Sequence, residues 1–386
     1  MMEKITLFRT TKRILFGGGS VEKIGQEAQL LKAKKILIVT DPGIIQSGLL
    51  ETVEKPLRSA GIPLAIFNGV EPDPRIEVVE KSLELAKRER IDLIIGFGGG
   101  SSLDIAKMTS ILVTNPGKIE GFFGVDLVPE PGVPMILIPT TAGTGSEVTP
   151  IAILSDTREK LKKGVVSSYL FPEVAIVDPK LTMGLPPAVT ASTGMDALTH
   201  AVEAYISLNA TDLTDLLAVR AMELIAKNLR MAYAHGENMM VRSNMMEGSL
   251  LAGMAFANAG VAAVHAFSYP LGGEFHIPHG LANTLMLPYV MRYNIISCPC
   301  KFARMAKAFG EKSEWLSDLD AAETAVKFIE RLCDDIRVPR RLRAMGIPES
   351  AVPKMAESAM KVTRLLANNP RKIALQDAIA IYQSAY

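Results

Sequence analysis

Histidine is scarce in this sequence, five in 386 residues, so where it falls is informative. In STGMDALTHAVEAY, Asp196 and His200 stand four residues apart, and on a helix that spacing puts both on one face. In GVAAVHAFSYPLGGEFHIPHG, His265 lies on a helical stretch and His279 follows a turn rich in glycine and proline. One carboxylate with three imidazoles is a nitrogen-rich set of intermediate softness that suits Fe(II), Zn(II) or Ni(II). Each fragment also has a structural reading. A helical Asp/His pair is commonly capped or exposed, and a lone histidine among apolar residues is commonly a satisfied core residue. His235, in an Ala-His-Gly-Glu turn, reads as surface. His276 reads either as a proton carrier lining a cleft or as a packed neighbour of His279.

Two GGGS runs occur, Gly17–Ser20 and Gly98–Ser101. The second follows the apolar run IDLIIGFGGG and opens the helical stretch SSLDIAKMTSIL. Glycines let a backbone approach a ligand closely, and the free N–H groups of a helix start face an anion. Gly98, Gly99, Gly100 and Ser101 are therefore a candidate diphosphate turn, with a bare strand-to-helix turn as the alternative. The run departs from GxGxxG because Ser101 stands at the third glycine, and it does not follow the first strand. Asp41 ends the strand run in KKILIVTDPG, where a carboxylate accepts from ribose hydroxyls and repels a 2′-phosphate; an N-cap before Pro42 is the other reading. A third run, PTTAGTGSEVT at Pro139–Thr149, offers hydroxyls and glycines suited to ribose, phosphate or carboxamide contacts.

These turns need a scaffold. Strands are expected at Lys35–Thr40, Pro63–Phe67, Asp92–Gly96, Met135–Pro139 and Val174–Val177, short apolar runs of the kind buried on both faces of a parallel sheet. Helical stretches such as Ile44–Ala60 and Pro74–Arg90 lie between them, which implies βαβ units. Near Asp178 the pattern changes: DPKLTMGLPPAV is dense in helix breakers, and beyond it only helical periodicity recurs, as in Thr190–Ser207, Thr211–Arg230, Met240–Ala257 and Asp320–Ile336. The expected organisation is a Rossmann-like α/β dinucleotide-binding domain over 1–183 and an all-α, metal-binding domain over 184–386. A cleft between the domains is where a site is expected.

Lys and Arg number 42 against 41 Asp and Glu, so nothing in the charge suggests nucleic acid or an anionic membrane as partner. Cys298, Cys300 and Cys333 form no disulfide framework, which favours a reducing cytoplasm. No signal peptide and no membrane-spanning run is read.

The stretches GGGSSLDIAK, PTTAGTGSEVT, TGMDALTHAVEAY and HIPHGLANTLMLPYVMRYN together resemble the iron-containing alcohol dehydrogenase family, in the family's order and over essentially the whole chain. The resemblance implies metal ligands at Asp196, His200, His265 and His279, and a diphosphate loop at Gly98–Ser101. It implies further cofactor contacts at Thr140, Thr141, Thr144, Thr149 and Lys162, and NAD preference through Asp41. It also implies an aromatic pocket wall at Phe256. Where many members carry a second histidine four residues after the third ligand, this chain has Tyr269, and Ile151 is apolar where some diol-specific members are polar. A phenol's ordinary pKa of about 10 changes the proton route, so Tyr269, His276 or water is the expected relay.

The implied activity is that of an NAD-dependent alcohol dehydrogenase or aldehyde reductase acting on small alcohols and aldehydes. A divalent metal, Fe(II) with Zn or Ni as alternatives, serves as Lewis acid. A hydroxyacid–oxoacid transhydrogenase is the nearest variant. Dehydroquinate synthase and the glycerol-phosphate dehydrogenases share the plan, but phosphate substrates call for several cationic side chains, and Arg292 is the nearest to the metal segments. The expected assembly is a homodimer.

Overall fold

The computed structural model describes residues 5–157 and 161–386. Nine strands occur among the described residues: β1 Arg13–Phe16, β2 Ile36–Val39, β3 Leu64–Phe67, β4 Leu93–Gly98, β5 Gly124–Val125, β6 Met135–Pro139, β7 Ile151–Asp156, β8 Leu161–Val166 and β9 Val174–Val177. Six form a wholly parallel sheet in the order β1-β9-β6-β4-β2-β3. The helices of this half are α1 Ile24–Leu30, α2 Pro42–Gln46, α3 Leu50–Ser59, α4 Ile76–Arg88 and α5 Gly100–Thr114. The other half is helical: α6 Pro187–Ile206, α7 Asp212–Ala234, α8 Met239–Ala259, α9 Ala263–Phe275, α10 His279–Asn294, α11 Pro299–Ala308, α12 Asp318–Asp335, α13 Val352–Met360, α14 Thr363–Leu366 and α15 Leu375–Ala385. No single helix among the described residues is long and apolar enough to cross a membrane.

Two compact units result. One is Thr10–Leu185 with Glu237–Met246; the other contains Pro186–Gly236 and Glu247–Tyr386, together with the described residues before Thr10.

The continuous apolar strand runs follow from covering the sheet on both faces. Ile36, Ile38, Leu93, Ile95, Phe97, Ile136, Ile138 and Ile176 pack into one core, with α1 and α3. Leu37, Val39, Ile94, Met135 and Leu137 point the other way and pack with α4 and α5. A pleated strand sends alternate side chains to opposite faces, so two buried faces require apolar residues at every position. From β2 the chain runs outward to β3, then returns to the other side of β2 to lay down β4 and, beyond it, β6. The connections thus diverge between β2 and β4, and ligands of open α/β sheets bind outside the strand carboxyl ends at such a switch point.

All five expected strands form. Four others were not anticipated, because β1 is a half-exposed edge strand and β7–β8 is an antiparallel hairpin whose burial alternates along Ile151–Asp156. Half-buried alternation gives no continuous apolar run to read. The stretch Ile44–Ala60 is also not one helix: α2 and α3 are separated at Gly48, whose φ of 74° is left-handed.

Gly96, on β4, faces both Leu137 and α5, and a methyl group there would lie 2.6 Å from the Leu137 side chain and 2.8 Å from the Ala106 Cβ. Gly96→Ala should destabilise the strand-rich unit by about 1–3 kcal/mol through overpacking. Urea unfolding checks this, and an unchanged midpoint would contradict the packing described.

Candidate active site

The candidate turns lie at the carboxyl ends of three adjacent strands, β2, β4 and β6. At the end of β2, Asp41 Oδ1 accepts from the amides of Gly43 (2.9 Å) and Ile44 (3.2 Å), capping α2. Its Oδ2 accepts from the Ser102 hydroxyl at 3.2 Å on α5. The N-cap reading of Asp41 therefore holds, and its other oxygen is turned toward α5 beside the glycine turn. Gly98, at φ 147°, is required here, since a Cβ would stand 2.6 Å from Ser102 Oγ and 2.9 Å from Asp41 Oδ2. Gly99 is the N-cap of α5 and supplies no side-chain cap, the kind of helix start that can receive an anion. The hydroxyl-rich run after β6 lies against this turn. A Cβ on Gly100 would meet Thr144 at 2.6 Å, and one on Gly99 would meet Thr141 at 3.7 Å. Thr140 and Thr149 are buried. Lys162, on β8, is nearly buried and pairs with Asp73 at 2.5 Å.

The first glycine run has a different fate. Asp178 Oδ2 accepts from the amides of Gly19 (2.9 Å) and Val21 (3.2 Å), so the protein supplies its own anion to Gly17–Ser20.

A second candidate site lies within the helical unit. Helix α6 is buried along most of its length, and Asp196, His200 and Glu203 follow one another on one face. Ligand atoms of Asp196, His200, His265 and His279 all lie within 4.8 Å of one another. Asp196 Oδ1 is 4.0 Å from His200 Nε2 and 3.8 Å from His279 Nε2. Asp196, His200 and His265 are buried, while the His279 side chain keeps 30% of its exposure. Gly280 makes the approach of α10 possible, because a Cβ there would stand 2.5 Å from the Ser192 carbonyl of α6. His279, beside it, is thereby carried to Asp196.

Two residues not singled out from the sequence complete the centre. Glu203, fully buried, contacts His265 Nδ1 at 2.5 Å and accepts from the Val264 amide at 2.6 Å in the first turn of α9. With a carboxylate on Nδ1, the proton stays there and the Nε2 lone pair points to the other ligands. Its only sequence signal was its place three residues after His200 on the ligand face. Asn283, one turn along α10 from His279, donates from Nδ2 to Asp196 Oδ1 at 2.7 Å and lies 3.1 Å from Nε2 of both His265 and His279. Its buried Oδ1 has no hydrogen-bond partner among the described residues. Burial by itself would raise the pKa of Asp196, but His200, His279 and His265, with the Asn283 amide, outweigh it and hold the carboxyl below its ordinary value. Ligand atoms of one carboxylate and three imidazoles thus converge beside the Asn283 amide. Ligands at about 2.0–2.2 Å from a first-row divalent ion stand about 3–4 Å apart, and this set fits one.

Around the centre, Phe256 stacks on His200 with ring centroids 4.3 Å apart. Tyr269 lies one turn after His265 on α9, and burial raises its phenol above the ordinary value. His276 is exposed, at the left-handed C-cap of α9 with φ 55°, and is not among the converging ligands. Exposure removes the reading of His276 as a packed neighbour of His279.

The family model for iron-containing alcohol dehydrogenases matches residues 11–179, and the model for the C-terminal part of that family matches 190–386. The 1,3-propanediol dehydrogenase of Klebsiella pneumoniae is 46% identical over 373 residues, covering 96% of each chain. A crystal structure of a 1,3-propanediol oxidoreductase superposes with a TM-score of 0.97 at 44% identity, covering 99% of this chain and 100% of that one. The sulfoacetaldehyde reductase of Bifidobacterium kashiwanohense, solved in complex with NAD+, has a TM-score of 0.89 at 29% identity, covering 99% of both chains.

Glu203→Gln should weaken metal retention about 10–100-fold, as expected for a partner that orients a ligating histidine. Competition against a chelator checks this, and unaltered affinity would remove Glu203 from the centre. A second expectation concerns Glu147, whose carboxyl burial raises to about 7 from 4.5. The folded state holds a proton there that the unfolded state has lost, so this contribution is complete below pH 4.5 and disappears as pH rises through about 7. Melting temperatures of the native protein should fall across that window more than those of Glu147→Gln; parallel curves would contradict it.

Proposed function

Because this chain belongs to the iron-containing alcohol dehydrogenase family, we propose that it interconverts small alcohols and aldehydes with NAD as hydride carrier and a divalent metal at Asp196, His200, His265 and His279. The observation that carries the reading is the convergence of those four side chains, contributed by α6, α9 and α10. When bound, the ion, Fe(II) with Zn or Ni as alternatives, supplies Lewis acidity toward the substrate oxygen, and NAD supplies the hydride acceptor.

The chain's own residues do the rest. Glu203 keeps the proton of His265 on Nδ1. Phe256, by stacking on His200, fixes a ligand plane and presents an apolar surface to a short carbon chain. Tyr269 is a phenol at neutral pH, a state that burial favours further by raising its pKa, so it serves by donating a hydrogen bond and not as a base. His276, exposed, is the side chain suited to exchanging the proton with solvent. At the nucleotide edge, Gly98–Ser101 receives the diphosphate, with Thr140, Thr141, Thr144, Thr149 and Lys162 as further contacts. Asp41, beside Gly98, disfavours a 2′-phosphate and so selects NAD over NADP. On this reading residues 1–183 bind the cofactor and 184–386 the metal. The even charge balance and sparse cysteines support a cytoplasmic setting, and a homodimer is the expected assembly.

Reconstitution with each metal separately, followed by a screen of alcohols and aldehydes for NADH change, tests the reading. Release of free NADH during turnover separates it from a hydroxyacid–oxoacid transhydrogenase. His265→Ala should lose metal and lower turnover by at least about 100-fold, while NAD affinity stays within about twofold. Full turnover in a metal-free variant would overturn the assignment. Asp41→Gly, which keeps a tolerated N-cap, should shift preference toward NADP by about tenfold or more. An unchanged cofactor ratio would refute its selecting role.

A further inference from the structure

The helices that carry the four converging side chains, α6, α9 and α10, are joined a second time away from those side chains. The chain bends by 103° between α8 and α9, across Gly260, Val261 and Ala262. Gly260 takes the left-handed φ of 77° at this corner. Ala262, the N-cap of α9, has no polar side chain with which to fix the helix start. His265 lies about one turn beyond Val261, so a shift of the corner is passed to its ring.

The corner is held instead by side chains from distant parts of the same unit. Ser207 Oγ, just past α6, donates to the Ala259 carbonyl at 2.6 Å. Asn368 Nδ2 donates to the Val261 carbonyl at 2.9 Å, and Asn368 Oδ1 accepts from Asn209 Nδ2 at 2.9 Å. The backbone carbonyl of Asn368 accepts from the Leu208 amide at 2.9 Å. Its neighbour Asn369, buried, exchanges hydrogen bonds of 2.9 and 2.8 Å with Asn294, the last residue of α10. Two adjacent asparagines thus touch the end of α6, the start of α9 and the end of α10. A carboxamide both donates and accepts, and Asn368 uses both functions. The fit is close, since a Cβ on Gly260 would stand 2.5 Å from Asn368 Nδ2. An aspartate of the same size would keep the bond to Asn209 but turn an oxygen against the Val261 carbonyl.

We propose that Asn368 is a positioning residue of the metal centre, holding the α8–α9 corner to the end of α6 so that His265 stays in register with Asp196 and His200. This rests on the reading of the four converging side chains as metal ligands. Glu203 fixes the orientation of the His265 ring, and Asn368 fixes the backbone from which that ring is projected. Asn368 is half-buried, so replacing it leaves the apolar core of the unit in place.

Cobalt(II), which falls between Fe(II) and Ni(II) in affinity for such ligands, is the probe. Its binding by chelator competition, and the visible bands that report its coordination geometry, are compared in native protein, Asn368→Asp, Asn368→Leu and Asn209→Ala, at a temperature where each is folded. Both Asn368 variants should bind cobalt about tenfold or more weakly, with altered bands, and Asn209→Ala should change in the same direction by less. A role in stability alone would lower the melting temperature and leave the affinity and bands of the folded protein as they were. Affinity within about twofold of native in both Asn368 variants overturns the proposal. Should neither fold, Asn209→Ala decides, and affinity and bands identical to native overturn it equally. His265→Ala, measured alongside, separates the two readings. If it retains cobalt like the native protein, the ligand assignment falls and this proposal with it; if it loses cobalt while the Asn368 variants keep it, the proposal alone falls.

Discussion

A carboxylate buried in an apolar helical unit is stable only if something positive or hydrogen-donating surrounds it. Asp196 is that carboxylate. It lies within α6, and its surroundings come from elsewhere in the chain: His200 one turn on, His265 from α9, His279 and Asn283 from α10. The arrangement of those helices can be read as the means of meeting this one demand. Gly280 gives up its side chain so that α10 can touch the α6 backbone. Glu203 uses one oxygen on the start of α9 and the other on His265, so that the helix position and the imidazole orientation are set by the same group.

The same economy appears at the carboxyl ends of β2 and β4. Asp41 caps α2 and meets Ser102 of α5, which ties the helices on the two sides of the switch point between β2 and β4. Gly98 must be glycine because that carboxylate and that hydroxyl already occupy the space a side chain would need. Capping of α2 and the tie to α5 are therefore the work of one carboxylate. Glycine is a tolerated N-cap, so replacing Asp41 with it removes the carboxylate at a mild cost to the helix start.

The two glycine runs illustrate how composition and environment diverge. Gly17–Ser20 and Gly98–Ser101 share four letters, yet the first has its Gly19 amide bonded to Asp178, as is that of Val21 just beyond it, while the second starts a helix with no side-chain cap. Whether such a turn serves a ligand depends on whether the fold brings a carboxylate to it first. Nothing within the run itself reports this.

Much was legible in the chain alone. The central strands were readable because a sheet covered on both faces needs unbroken apolar runs, and the Asp196–His200 pairing because helical spacing is local. Beyond the reach of local pattern were β1 and the β7–β8 hairpin, half-buried and therefore unmarked, and the partners that act across long separations. Glu203 reaches a histidine 62 residues away, Asn368 a carbonyl 107 residues away, and Asn283 a carboxylate 87 residues away. Residue type and periodicity determined which groups were able to bind a metal or a phosphate. Only the packing of α6 against α10, and of α5 against the loop after β6, decided which of them meet, because a contact between distant residues is a property of the packed chain and of no segment in it.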